Sequence, residues 1–341
     1  MNTGQIRVLL LSLSLVIVIT VCCITDPQSS TDPETLSSIV TQHESRQIMD
    51  TIVTIEIIGN ETGSQTAINS AFDEIRRVED LVSIYKYNSE VSLLNREGCI
   101  QGASPDLVYL IEQSIYYSKL SSGAFDITIQ PILDLWKTKV SAGEYPSDKQ
   151  INNTLILVNY SNITLNNDTI AFNMQGMTIT LGGIAKGYAV DRAVSVLKDK
   201  GCMNGFVNAG GDGMYFGTKQ DGSYWRVGLR NPDNKSESIV ILNISDMAVA
   251  TSGNYERYFN ESARLSHISD PRTGYSCQSL ISATVIASSA IQADTLATAV
   301  FVLGPEQGME LIESIDQTEC LLITSDRDII RSSGFKTYEA T

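Results

Sequence analysis

At 341 residues, with 43% hydrophobic and 18% charged side chains, the chain has the length and composition of a globular protein with a sizeable core. Its 39 acidic residues outnumber 24 basic ones, for a formal net charge of −15. That balance excludes nucleic acid and an anionic membrane surface as the main partner, since both would be repelled.

Arg7 precedes an uncharged run over residues 8–24. Its length lies between a signal-peptide core and a minimal membrane span, and no small-x-small cleavage site follows. Residues 1–24 are therefore read as a membrane anchor or signal peptide, with Cys22 or Cys23 as a candidate lipidation site. Either reading puts the folded part outside the cytoplasm, and a retained anchor or lipidated cysteine would hold it at the cell membrane. Residues 25–45 are rich in Ser, Thr, Asp and Pro and read as a polar tether, with His43 inert in it. The folded domain is expected over residues 46–341, without internal repeats. Asn-x-Ser/Thr sequons at Asn60, Asn152, Asn159, Asn162, Asn167, Asn234, Asn243 and Asn260 fit an extracytoplasmic surface, or follow from an Asn- and Ser-rich composition. Cys99, Cys202, Cys277 and Cys320 permit three disulfide pairings, and none has CxxC spacing.

Residues 52–58 alternate as a strand, and Ala71, Ile75, Val78 and Val82 form a helical stripe over 67–84. Ser104 and Pro105 open a helix that reaches residue 120. Residues 145–173 read as short strands between Asn-rich turns. A strand over 177–181 runs into Gly182-Gly183-Ile184-Ala185-Lys186-Gly187 and then a helix with Ala189, Val190, Ala193, Val194 and Leu197 on its apolar side, closed by Gly201. A short strand over 205–207 enters the turn 208–213. Further strands are expected over 225–229, 239–244 and 281–287, and the helix carrying Asp294 ends at Gly304-Pro305. The pattern is one mixed α/β unit.

Residues four apart on a helix share a face, so Asp294 and Thr298 point the same way. A carboxylate, a hydroxyl and backbone carbonyls suit Mg²⁺. The plainer alternative is a carboxylate favoured by the helix dipole and a threonine bonded back to the preceding turn. The glycine-rich strand-to-helix junction at 182–187 is a candidate anion cradle, although it matches neither GxGxxG nor the P-loop. His267 is the one imidazole in the expected domain, which excludes a multi-histidine zinc site and leaves a candidate proton-transfer group beside the polar turn Asp270-Pro271-Arg272-Thr273-Gly274. No G-x-S-x-G occurs, so a serine-hydrolase elbow is absent.

In their order along the chain, these segments resemble the ApbE family of FAD:protein FMN transferases, once labelled thiamine-biosynthesis lipoproteins. The resemblance runs from about residue 46 to 312. It is carried by Met49-Asp50-Thr51, Tyr85 with Ser89-Glu90 and Asn95, Gly123-Ala124-Phe125-Asp126 leading to Pro131 and Leu135-Trp136, and Leu181 through Asp191. Asn208-Ala209-Gly210-Gly211-Asp212, Ala250-Thr251-Ser252-Gly253, the His267 segment and Ala293-Asp294 through Thr298 complete it.

The resemblance implies an α+β (mixed α/β), T-fold-like catalytic unit of two lobes behind the N-terminal membrane segment. It implies FAD as substrate, Mg²⁺ as cofactor, and transfer of FMN to a threonine of an extracytoplasmic acceptor flavoprotein of an electron-transfer complex, with release of AMP. Met49, Tyr85, Ala124, Phe125, Asp126, Thr180, Lys186, His267 and Ile268 match the FAD site. Gly183 (through its carbonyl), Asp294 and Thr298 match the metal ligands, and His267 and Asp294 the catalytic positions. Two positions depart from the family pattern: Asp50 replaces a glycine, and Thr180 stands where many members carry an acidic residue. The rival readings are a Mg²⁺-dependent FAD pyrophosphatase giving free FMN and AMP, and a passive FAD-binding lipoprotein.

Overall fold

The first two strands, β1 (Ile39–Ile48) and β2 (Thr51–Asn60), pair antiparallel from Ile39↔Asn60 to Ile48↔Thr51. The computed structural model describes residues 39–234, 236–254, 258–260, 265–266 and 268–340. The expected anchor, residues 25–38 of the expected tether, and His267 lie outside the described residues. The tether reading is corrected over 39–45, which belong to β1. An edge strand can be this polar, because its main chain is paired along β2 while Val53, Ile55 and Ile57 of β2 supply the buried contacts. His43 is an exposed residue of that strand.

Helix α1 (Glu61–Val82) follows, with Gly63 N donating to the Asn60 side chain at 2.9 Å. Ala67, Ala71, Ile75, Val78 and Val82 are buried on one face, as their spacing requires. Next come α2 (Glu90–Glu97), β3 (Cys99–Ile100), α3 (Pro105–Leu120), α4 (Gln130–Ser141) and α5 (Asp148–Leu155). Strands β4 (Ile163–Asn166) and β5 (Thr169–Phe172) then join β3 in a small sheet. Ser104 caps α3 as expected, by accepting from Leu107 N at 3.2 Å. Helix α5 lies where only short strands were expected. Its start is a capping box in which Ser147 and Gln150 satisfy each other's backbone N–H groups.

The strand expected over 177–181 is not formed, and the segment joins no sheet. The Asn95 side chain takes the place of a neighbouring strand: its amide donates to Ile179 O at 2.8 Å and accepts from Ile179 N at 2.7 Å. Helix α6 (Ala185–Asp199) follows, then β6 (Asn204–Ala209), β7 (Asp212–Phe216), β8 (Trp225–Arg230), β9 (Ser238–Ile244) and β10 (Met247–Gly253). The pair β11 (Tyr258–Asn260) and β12 (Leu265–Ser266) precedes β13 (Leu280–Ala287), α7 (Ala290–Leu303), α8 (Pro305–Glu313), β14 (Glu319–Thr324) and β15 (Ile329–Arg331).

The main sheet has eight strands in the order β1-β2-β6-β7-β10-β13-β14-β15, each antiparallel to its neighbours. Both faces are covered. Val285 and Ala250 face the core shared with α1, α6 and α7, whereas Ile286 and Val249 face Trp225, Leu242 and Phe335 beneath the β8–β9 hairpin. Burial on both sides explains why all eight residues of β13 are buried and apolar patterning alone shows no alternation there. The architecture is the mixed α/β fold expected. Among the described residues no helix is long and apolar enough to cross a membrane.

Candidate active site

The start of α6 and the start of α7 meet over the sheet. Ile184, at the N-cap of α6, offers no side chain to cap it, so the first-turn N–H groups need outside partners. One of them, Gly187 N, donates to Asp294 Oδ2 at 2.9 Å. Glycine is required at that point: a Cβ on residue 187 would lie 2.2 Å from Ala290 O. One turn earlier, a Cβ on Gly183 would lie 3.1 Å from Thr298 Oγ1 and from the Phe125 ring. Thr298 Oγ1 is in turn 3.2 Å from Ser252 Oγ on β10. Gly183, Asp294 and Thr298, far apart in sequence, thus line one locus.

Its electrostatics are those of a site short of positive charge. Asp294 and Asp212 are both almost fully buried, at 4% and 1% exposure. Lys186 forms an ion pair with Asp212 Oδ2, and Asp212 Oδ1 accepts from Thr251 N at 3.3 Å. Burial, and next the negative charge of Asp212, push the Asp294 carboxyl up to about 7, against the opposing pull of Lys186 and the Gly187 N–H. The second Asp294 oxygen receives no hydrogen bond among the described residues. A divalent cation fits this donor set: it would supply the missing charge and use a free carboxylate oxygen and the Thr298 hydroxyl, both hard ligands. Among the described residues no group of three or more His, Cys, Asp or Glu side chains is placed to cage a metal.

Asp212 is the residue that sequence reasoning quoted within a motif but gave no role. The Gly210-Gly211 turn placed it at the start of β7, and both glycines have positive φ, 67° and 111°. A carboxylate directly after a Gly-Gly turn was the available signal. Its job follows from geometry: it holds the Lys186 ammonium beside Asp294.

The other expected residues fall into three groups. Phe125 and Ala124 are buried, and Phe125 backs the Gly183 loop. Asp126 is engaged by its own chain, accepting from Thr128 N, Thr128 Oγ1 and Tyr160 N at 2.7–2.9 Å, and burial raises its pKa. This segment supports the loop from behind. Thr180 binds the same scaffold, donating its N–H to Ile127 O at 2.8 Å and accepting from Gly182 N at 3.2 Å. Met49, in the β1–β2 turn, donates its N–H to Glu79 at 2.8 Å, and the turn abuts Gly210 through Thr51.

Tyr85 is 72% exposed and borders an open cavity of about 370 Å³ with Ile84, Tyr87, Ser92, Asn95 and Arg96. Asn95 connects that cavity to the 179–183 segment through its two bonds to Ile179. Ile268 is buried, and its carbonyl accepts from Cys277 N at 3.1 Å. The turn after it is firmly built: Asp270 binds Arg272, Gly274 O accepts from Trp136 Nε1 at 2.7 Å, and Tyr275 OH donates to Asp148. His267 lies outside the described residues, directly before this turn.

The model of the ApbE family matches residues 49–322. The chain belongs to the ApbE family. Among its relatives in that family, the FAD:protein FMN transferase of Vibrio cholerae is 31% identical over 284 residues, covering 81% of this chain and 82% of that protein. A FAD:protein FMN transferase of Klebsiella pneumoniae is 32% identical over 272 residues, covering 77% and 83%. The solved ApbE protein of Thermotoga maritima superposes with a TM-score of 0.82 at 29% identity, over 89% of this chain and all of that one. The flavin transferase ApbE of Vibrio cholerae gives 0.75 at 28% identity, over 88% of this chain and all of that one.

Proposed function

We propose that this ApbE-family enzyme, a flavin transferase, moves the FMN moiety of FAD onto a threonine hydroxyl of an extracytoplasmic acceptor flavoprotein and releases AMP, with Mg²⁺ as cofactor. The observation that carries the metal requirement is Asp294: a buried carboxylate with one oxygen fixed by Gly187 N, the other without a hydrogen bond among the described residues, and a second carboxylate nearby. A passive flavin carrier has no use for such a group beside a phosphate cradle.

Mg²⁺ would be held by Asp294, Thr298 and the Gly183 carbonyl, and when bound it supplies charge neutralisation at the pyrophosphate. The remaining work belongs to the chain. Lys186, at the start of α6, attracts and orients the phosphates. Asp212 keeps Lys186 from swinging away. Tyr85 and its cavity offer an aromatic, half-open seat for a ring of the dinucleotide. His267 accepts the proton of the acceptor threonine as its Oγ attacks the FMN-side phosphorus. The P–O bond to AMP breaks, AMP carries away the electron pair, and FMN stays attached as a phosphoester. The apolar run at residues 8–24, as anchor or with lipidated Cys22 or Cys23, would hold the domain at the outer face of the cell membrane.

The test is to incubate the full chain with FAD and a protein bearing a candidate acceptor threonine, with Mg²⁺ or with a chelator. The expected outcome is Mg²⁺-dependent gain of one FMN by the acceptor, lost when that threonine is valine. Transfer undiminished in chelator would overturn the metal assignment. FMN and AMP released with the acceptor unmodified would favour the pyrophosphatase. In the His267→Asn variant, transfer should fall while FAD binding persists.

A further inference from the structure

Three contacts align α6 and α7 in one antiparallel register. Gly183 lies against Thr298, Gly187 N binds Asp294, and Asp191 binds the first residues of α7. Each step is about four residues along both segments, down on one as it goes up on the other, so the Gly187 and Asp191 rungs lie on facing helix surfaces and the Gly183 rung lies in the turn just before α6. The first two rungs hold the candidate metal ligands. The third has no role so far.

That third rung completes the accounting of a helix end. A helix leaves its first N–H groups without intrahelical partners. In α7, Ala293 N bonds to Ser289 O at 3.1 Å and Gln292 N to Ser289 Oγ at 3.4 Å, which leaves Ala290 and Ile291. Asp191 takes both: Oδ1 accepts from Ala290 N at 2.8 Å and Oδ2 from Ile291 N at 2.9 Å. The carboxylate also sits at the positive end of the α7 dipole. Its neighbour Arg192 turns to Glu74 on α1, at 2.9 Å, so both oxygens of Asp191 serve α7. Two bonds to adjacent N–H groups fix the rotation and the height of α7 against α6. Both determine where Asp294 and Thr298 stand, one and two turns further on.

We infer that Asp191 is a positioning residue for the metal site, acting through α7 to set Asp294 and Thr298 opposite Gly183. This rests on the metal reading above. Its failure is kept separate by measuring Mn²⁺ binding directly, by the electron paramagnetic resonance of free Mn²⁺, on the full-length protein and four variants. Asp294→Asn should abolish tight binding. Asp191→Ala should weaken it about 10–100-fold, the usual effect of losing a group that orients a ligand. Asp191→Asn, of the same shape and able to accept one of the two bonds, should recover part of that loss. Ser332→Ala, which removes the hydroxyl bonded to Cys320 N at the far sheet edge, should lower the melting temperature and leave Mn²⁺ binding unchanged. Amide exchange at Ala290 and Ile291 should accelerate in both Asp191 variants. Wild-type Mn²⁺ affinity in folded Asp191→Ala and Asp191→Asn would overturn the inference, and so would equal weakening in Ser332→Ala. Equal affinity in wild type and Asp294→Asn would overturn the metal reading and the inference together.

Discussion

Asp50 and Met49 both hold φ at 56°, the left-handed conformation of a two-residue hairpin turn, where glycine or asparagine is the usual occupant. The turn is kept because Ile48↔Thr51 must pair on either side and Glu79 binds Met49 N. Asp50→Gly should therefore stabilise the protein, by about 1 kcal/mol, measured by urea unfolding. A loss of stability would mean that the Asp50 side chain does work not visible in its contacts. The cysteines give a second residue-scale prediction. All four in the described domain are unpaired. Burial, with the charge of a nearby carboxylate adding to it, pushes the Cys277 and Cys320 thiols up to about 12, and burial raises Cys202. A thiol raised this far stays protonated at pH 8, and the thiolate is the reactive form. Native alkylation at pH 8 should thus mark exposed Cys99 and spare Cys202, Cys277 and Cys320, while unfolding exposes all four. A mass two units low per pair before reduction would show disulfides instead.

At the scale of elements, a single side chain replaces secondary structure at one joint. Asn95 satisfies both backbone groups of Ile179, so Asn95→Ala leaves a donor and an acceptor without partners just before the glycine loop. The expected cost is roughly 1–3 kcal/mol per orphaned group that water cannot reach, read as a lowered urea midpoint. An unchanged midpoint would show that water takes over both bonds. Here lies the limit of reading the chain directly. The helices α1, α3 and α6 are legible because their apolar residues recur at three and four, and Ser104, Gly201 and Gly304 mark ends of α3, α6 and α7. Residues 177–181 carry a strand's pattern, yet Ile179 bonds a side chain 84 residues away and Thr180 N the carbonyl of Ile127. β1 fails in the opposite direction, since its polar composition conceals a strand whose stability comes from β2. Asp294 and Thr298 could be paired from helix geometry alone. Asp212 and Asp191 could not be given roles, because their partners belong to other elements and only the fold brings them together.

For the whole molecule, the sheet and its helices serve to hold one deficit of charge in place. Sheet strands β7 and β10 present Asp212, Thr251 and Ser252 from below, and α6 and α7 close over them with Lys186, Asp294 and Thr298. With a divalent cation bound, a site of this kind would stabilise negative charge that develops on phosphate, and removing one such contribution costs about 10²–10³-fold in rate. A formal net charge of −15 works against association with nucleic acid. The central claim is FMN transfer dependent on Asp294. The measurement that tests it most directly is the intact mass of the acceptor, with AMP counted in the same reaction, for wild type and Asp294→Asn side by side. The account predicts one FMN on the acceptor for each AMP released in wild type, and at least about a 10²-fold slower gain in the variant. Equal rates in the two proteins, or AMP released without any gain of acceptor mass, would contradict it.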